Sequence, residues 1–474
     1  MRYLYASLAA AMFAATAVPA VAGTLLVPRQ FSTIQAALNA AKPYDTVLVS
    51  AKPKGGVYAE AVTLSTPHVV LQGVGSPVLD GSTLGKVIHV LPGYPEYDYT
   101  QFPNGIEVQA DHIAVRGMTV QNFATARQGL TSAGINVGSY VRTGDFSGGE
   151  VSYSDIEVSG NTLQKNNSGL LIAGFTGGNP LSSNNGAYLS GYRVLGNLFT
   201  ANNAGGAALS GKAILVSGNR FISNQFSGTS NDGLDVTGVG LSVFGNESAS
   251  NAGAGININT PNYAPAVSDP KNPNPAASAI FGNSVHDNGM YGLQISGTVT
   301  VSANQVNRNT GYGIYLNYAD YSTISGNSVS GTALGGYVDD GTGIYSDYST
   351  SAYYGTDSGL KVSFNQVSGN AGDGISFSEV SGGVISFNSV TGNQGIGVHL
   401  SDFNSYNAYS YPSAPTTVTR NLAQHNIFVD ARDDASAPNG ITVNYDYYNG
   451  DGGATVNIWT KNLFGTTDPV GLSK

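Results

Sequence analysis

The sequence predicts an all-β solenoid, a single-domain parallel β-helix with a short helical cap at its N-terminal end, and three observations carry that prediction. A short phrase recurs along the chain, as in GNSVHDNGMYGLQIS (282–296) and ANQVNRNTGYGIYLN (303–317). Within each copy apolar and polar residues alternate, which is the period of strands and not of helices. Composition agrees, because 63 Gly and 28 Tyr with only 11% charged residues describe many tight turns joined by short strands.

Aligned on that phrase, Asn recurs at Asn161, Asn197, Asn219, Asn246, Asn283, Asn304, Asn327, Asn365, Asn388 and Asn421. All but Asn327 have a second Asn five residues on, from Asn166 to Asn426. The shortest unit is about 22 residues and the rest contain insertions, the mark of a stacked-coil architecture. One coil can be followed residue by residue. In VTVSANQV, Val299 and Val301 point inward from a first strand. Asn304 is expected to turn the chain in left-handed backbone and to stack on its counterparts as a side-chain ladder. Val306 opens a second strand, Gly311 and Gly313 permit another corner, and Ile314 and Leu316 then point inward while Tyr315 and Asn317 point out. Three strands per coil, stacked at roughly 4.8 Å, give a parallel β-helix of about a dozen coils.

The ends follow. Arg2, an apolar run from Leu4 to Val18, Pro19 and Ala20-Val21-Ala22 read as a signal peptide, residues 1–22. Residues 23–46 are expected to form the cap and 47–474 the β-helix with its loop insertions and closing segment. In FSTIQAALNAAKP, Ser32 and Gln35 have capping-box spacing, Ile34, Ala37, Leu38 and Ala41 form an apolar face, and Pro43 stops the helix. Trp459, the single Trp, is expected over the last coil. No later segment is long and apolar enough to span a bilayer, so an exported protein, periplasmic or extracellular, with no membrane insertion after cleavage, is expected. The absence of Cys removes disulfide and thiol chemistry. A net charge of −10 ill suits a nucleic-acid partner. A monomer is expected.

The segments FSTIQAALNAAKPYDTVLV, VYAEAVTL and ADHIAVRGMTVQN resemble the opening coils of the right-handed parallel β-helix repeat family, the pectate lyase-like superfamily. The resemblance spans nearly all of the chain after the leader and implies the right-handed fold and a polysaccharide substrate. It carries over no chemistry residue by residue. The Asp-Pro-His of mannuronan epimerases, the Gly-His-Gly and Arg-Ile-Lys of polygalacturonases and the pectate-lyase signatures are all missing, and Asp339-Asp340-Gly341 is only loosely similar to the polygalacturonase aspartates.

Enzymes of that family work on one exposed sheet, so the outward positions of the strand after the second glycine matter most. They read Glu107, Asn136, Leu171, Ala208, Asp235, Asn257, Gln294, Tyr315, Tyr345, Ser376, His399 and Thr442, with Asn259, Asn317 and Asp347 two residues further on. Aromatic faces take up sugar C–H faces while amides and carboxylates bond hydroxyls, which makes Asp235, Asn257, Gln294, Tyr315, Asn317, Tyr345 and Asp347 the candidate substrate-binding set. Insertions at 138–155, 174–192, 260–278, 347–359 and 402–416 leave the same corner and are rich in Tyr, among them Tyr153, Tyr192, Tyr263 and Tyr406; they either wall a groove or pack onto the coils. Asp339, Asp340 and Asp373 fall on neighbouring coils and would bind Ca²⁺, act as acid and base, or be solvated turn residues. Asp232 with Asp235 poses the same choice. His399 is a candidate general acid or base, and Arg142, Arg193 and Arg432 read as surface or salt-bridge residues. The function expected is an exported lyase or hydrolase acting on polysaccharide in a Tyr-rich groove. The alternative is a non-catalytic glycan-binding or surface-structural protein.

Overall fold

Three parallel sheets of 15, 13 and 14 strands run the length of the computed structural model, each coil adding one strand to each sheet. Residues 22–468 are described except for 91–97, 125–131, 139–151, 177–186, 226–231, 262–277, 336–339, 348–358, 402–415, 428–430, 434–457 and the single residues 86, 102, 174, 379, 381 and 466. In the coil followed above, Thr300–Ser302 lies in sheet 1, Gln305–Asn307 in sheet 2 and Tyr312–Asn317 in sheet 3.

The alternation decides which side chains fill the bore. Val301, Val306, Ile314 and Leu316 are fully buried; each stacks on a residue of like size in the coil before, and all but Leu316, which meets Ser346, do so in the coil after. Each such side chain contributes about 1.5–3 kcal/mol of transfer free energy. Parallel register makes the columns continuous, so one repeat's hydrophobic choice is supported by the next.

Asn supplies the corners, with one change from expectation. The left-handed residue is the one before each ladder Asn: Gly282 (φ 62°), Ala303 (φ 53°), Gly326 (φ 65°) and Phe364 (φ 58°) precede Asn283, Asn304, Asn327 and Asn365. The Asn turns inward and is buried. Asn304 shows the accounting. Its backbone N–H and its Nδ2 both donate to Oδ1 of Asn327, at 3.0 Å each, and Nδ2 also donates to the carbonyl of Ile280. A buried amide is therefore fully used, which is why the position tolerates a polar group. Thr332 takes the second-ladder place in the coil whose spacing lacks an Asn, its N–H donating to Asn370 Oδ1.

At the second corner Gly311 has φ 80°. Gly313 is needed for space instead. A Cβ there would lie 2.5 Å from both the Gly343 carbonyl oxygen and a Val329 methyl.

At the N-terminal end the helix spans Ile34–Ala40, capped by Thr33, whose hydroxyl accepts from Ala36 N–H, and not by Ser32. Both carboxylate oxygens of Glu60 accept from the amides of Ile34 and Gln35, which puts a negative charge at the positive end of the helix. Gln35 is thereby released to bond Asn39 and Thr63. Thr24–Val27 and Thr46–Ser50 already pair as strands of sheet 1, so the cap region merges with the first coil. Trp459 packs its half-buried ring against the end of the core, edge-on to Phe464. No helix among the described residues is long and apolar enough to cross a membrane.

Candidate functional site

Sheet 3 brings the outward residues into one row. Glu107, Asn136, Leu171, Ala208, Asp235, Asn257, Gln294, Tyr315, Tyr345, Ser376 and His399 are successive register partners. Arg432, in strand Ala431–Asp433, follows His399 in register; Thr442 lies outside the described residues. Asn259, Ser296, Asn317 and Asp347 form the parallel row two residues on.

At the upper end of the row a connected polar cluster forms. Asp373, at the corner before its strand, reaches forward one coil: Oδ2 lies 2.7 Å from His399 Nδ1, and Oδ1 accepts the Ile396 N–H at 2.7 Å. His399 and Asp373 are 18% and 20% exposed, enough for a substrate atom to approach while most water is excluded. Behind them, the Thr342 hydroxyl donates to Asp340 Oδ1, which also accepts the Thr342 N–H at 3.1 Å, and Asp373 N–H donates back to Thr342 Oγ1 at 3.2 Å. The chain Asp340–Thr342–Asp373–His399 thus crosses three coils.

Burial pushes the Asp340 carboxyl above its ordinary range; the Asp373 charge pushes the same way, while the Thr342 hydrogen bonds and His399 oppose it. Tyr312 stands beside this acid, and burial followed by the Asp340 charge raises its phenol well above the ordinary range. Tyr312 stacks on Tyr345 at 4.5 Å between ring centroids, and Tyr315 on Tyr345 at 6.0 Å, so an aromatic wall adjoins the acid–base chain.

Lower on the row the acids are also held protonatable. Asp235 rises to about 7 through burial and then the charge of Asp232. Asp232, raised by burial, accepts from Ala254 N–H at 2.8 Å and Asn257 Nδ2 at 3.0 Å. The two carboxylates line a small pocket with Ser168 and Ala208. Glu107 rises to about 6 through burial against hydrogen bonds from Asn104 and Asn136.

Asp339 lies outside the described residues, as do most of the insertions, Tyr263 and Tyr406 among them. Tyr192 is fully buried with its hydroxyl donating to the Tyr153 carbonyl at 2.7 Å, so this pair packs onto the coils. Arg193 is paired with Glu157 at 3.5 Å on sheet 1, away from the row. Among the described residues no group of three or more His, Cys, Asp or Glu is arranged to hold a metal. For Asp340 and Asp373, three of four carboxylate oxygens already serve protein hydrogen bonds.

Thr342 and Tyr312 went unread in the sequence. Both occupy the place just before the corner glycine, in TGIYSD and YGIYLN. A hydroxyl-bearing residue there in three successive coils, Tyr291, Tyr312 and Thr342, set against Ala254 in AGININ, was the signal available.

Residues 273–410 match the family model described as "Right handed beta helix region". With three continuous parallel sheets, the protein is a right-handed parallel β-helix. No curated protein sequence matches it. Among solved structures it is similar to the A-module of a mannuronan C-5 epimerase from Azotobacter vinelandii, with 13% identity over 82% of this chain and 89% of that one at a TM-score of 0.41. It is also similar to a PL6 family alginate lyase, with 14% identity over 84% and 51% and a TM-score of 0.44. A GH136 lacto-N-biosidase from Eubacterium ramulus gives 10% identity over 84% and 67% and a TM-score of 0.34.

Proposed function

We propose that the protein is an exported polysaccharide-active enzyme that works by proton transfer on sheet 3, with lyase-type elimination from a uronate-containing chain as the leading reaction. The observation that carries this reading is the Asp373–His399 pair at 2.7 Å, set on the same row as the stacked rings of Tyr315 and Tyr345. A carboxylate on Nδ1 fixes the ring's orientation and raises its basicity, which suits His399 to take a proton through Nε2.

In the elimination, the base removes the proton from the carbon bearing the uronate carboxyl. The electron pair forms the new C=C bond and the glycosidic C–O bond breaks toward the leaving oxygen. A phenol of the Tyr312, Tyr315 and Tyr345 group then returns a proton to that oxygen. Asp235, Asn257, Gln294 and Asn317 would bond sugar hydroxyls further along. Asp373 favours elimination over hydrolysis because both its oxygens are committed, leaving it to position His399 and not to attack a sugar.

Hydrolysis is the second reading, favoured by the raised carboxyl of Asp340, which could serve as a general acid. In that reading Ca²⁺ held by Asp339, Asp340 and Asp373 remains part of the proposal. The test is incubation with a panel of acidic and neutral polysaccharides, with and without Ca²⁺, following ultraviolet absorbance of unsaturated uronates and new reducing ends. Absorbance together with cleavage supports elimination. Reducing ends alone transfer the reaction to hydrolysis. Binding without either product sinks the enzyme reading in favour of a glycan-binding protein.

A further inference from the structure

Just beyond the aromatic wall, strand Tyr312–Asn317 ends in the turn Asn317-Tyr318-Ala319-Asp320-Tyr321-Ser322. Buried polar side-chain atoms elsewhere in the described residues are satisfied, and the two exceptions fall in this one turn: Asn317 Oδ1 and Asp320 Oδ1. Asp320 is only 5% exposed. The carbonyls around it are engaged: Thr298 Oγ1 donates to the Asp320 carbonyl at 2.9 Å, Gly297 N–H to Tyr318 O and Ser322 N–H to Ala319 O. A hydrogen-bonded turn therefore surrounds a carboxylate oxygen, Asp320 Oδ1, left without a donor. An ionised carboxylate in such a place costs several kcal/mol unless something positive meets it.

We propose that this turn is a binding site for a hard divalent cation of the Ca²⁺ class, held by Asp320 Oδ1 and Asn317 Oδ1. Both orphan atoms are oxygen acceptors three residues apart in one turn, and in the proposed site a single cation serves both. A carboxylate with an amide oxygen is a calcium-type donor set, and the 6–8 ligands of Ca²⁺ leave room for water. The set contains no His or Cys nitrogen or sulfur, which disfavours Zn²⁺ and its like. Asp347, register partner of Asn317, places another carboxylate on the adjoining coil. Burial raises Asp320 to about 6, which marks the proton as the cation's competitor. The bound ion would lock the turn that follows Tyr315 and so steady one edge of the row.

The site is separate from Asp340 and Asp373, which makes the test independent of the proposed reaction. The full chain, stripped with a chelator, is titrated with CaCl₂ by calorimetry and thermal unfolding, and with Tb³⁺ by luminescence sensitised through Tyr318 and Tyr321. The expected result is saturable binding and a rise in Tm near neutral pH, fading as pH falls below that of Asp320. Asp320→Ala should remain folded and weaken Ca²⁺ by about tenfold or more, with Asn317→Ala weakening it less, while Asp340→Asn keeps the response. The absence of any Ca²⁺ response in the wild type, a response untouched by Asp320→Ala, or one abolished by Asp340→Asn would each overturn the assignment. Stabilisation by acid alone, with no Ca²⁺ effect, would instead make Asp320 a neutral buried acid.

Discussion

The two sides of this β-helix treat carboxylates in opposite ways. On sheet 1, Glu157 sits between Arg116 at 2.7 Å and Arg193 at 3.5 Å, and the Arg116 hydrogen bond holds its carboxyl below the ordinary range. At the sheet 2 corner, Asp287 is lowered in the same way by Arg308. Along sheet 3, Glu107, Asp232, Asp235 and Asp340 are raised, each by burial first. The coil, the bore and the ladders are shared, so the difference lies in how deeply each acid is buried and whether an Arg stands beside it. A solenoid can pair its charges wherever it repeats, and acids left buried without cations, as along sheet 3, are candidates for proton transfer.

The sharpest way to break this contrast is at the acid–base chain. His399→Ala is expected to lower kcat on the responsive polysaccharide by about 10²–10⁴-fold with little change in Tm. Asp373→Asn should cost less and shift the pH–rate profile, because it alters the basicity of the ring it positions. Equal activity in both variants would leave the sheet 3 acids without a catalytic purpose.

Next in size is the shared scaffold. Asn304→Ala removes a buried amide, strands the Asn283 N–H, which donates to its Oδ1 at 3.0 Å, and takes from Asn283 Nδ2 one of its acceptors, at 2.9 Å. A loss of about 2–4 kcal/mol in urea unfolding is expected, each orphaned group costing about 1–3 kcal/mol. A loss under a tenth of that would show that the ladder is incidental.

The two acid environments then predict opposite signs. Asp235 has a folded pKa of about 7, above its unfolded value, so its stabilising contribution is present below about pH 4 and is lost as pH rises through 7. Asp235→Asn should therefore stabilise the protein by up to about 4 kcal/mol above pH 7 relative to its effect at pH 4, read as the difference between two denaturation curves. Glu157 is lowered, so its contribution is present above about pH 4 and lost as pH falls through the folded pKa. Arg116→Ala should cost no more than about 1 kcal/mol at neutral pH, since Arg116 is 41% exposed, and nothing in acid. If Asp235→Asn destabilises at high pH, the contrast between the faces fails.

How much of this was legible in the sequence varies by level. The inward columns, the ladders and the outward row could be read because a β-helix repeats them at fixed offsets, as Val301, Asn304 and Tyr315 illustrate. The left-handed residue was misplaced by one position, since Asn and its predecessor compete for the same turn and only the burial of the amide settles which one bends. Thr342 and Tyr312 were passed over because they precede a glycine, where an alternating pattern gives no side to choose.

The sequence by itself determined the architecture: three strands per coil, the polar ladders and the face that carries mixed chemistry follow from local periodicity, because each coil packs only on copies of itself. Only the tertiary structure decided the site. Asp373 and His399 are separated by 26 residues, and Asp340 is linked to them through Thr342. Which acid meets which base depends on how insertions between coils advance the register. The environment of each carboxylate depends on what the neighbouring coil stacks beside it, and neither is written in any one repeat.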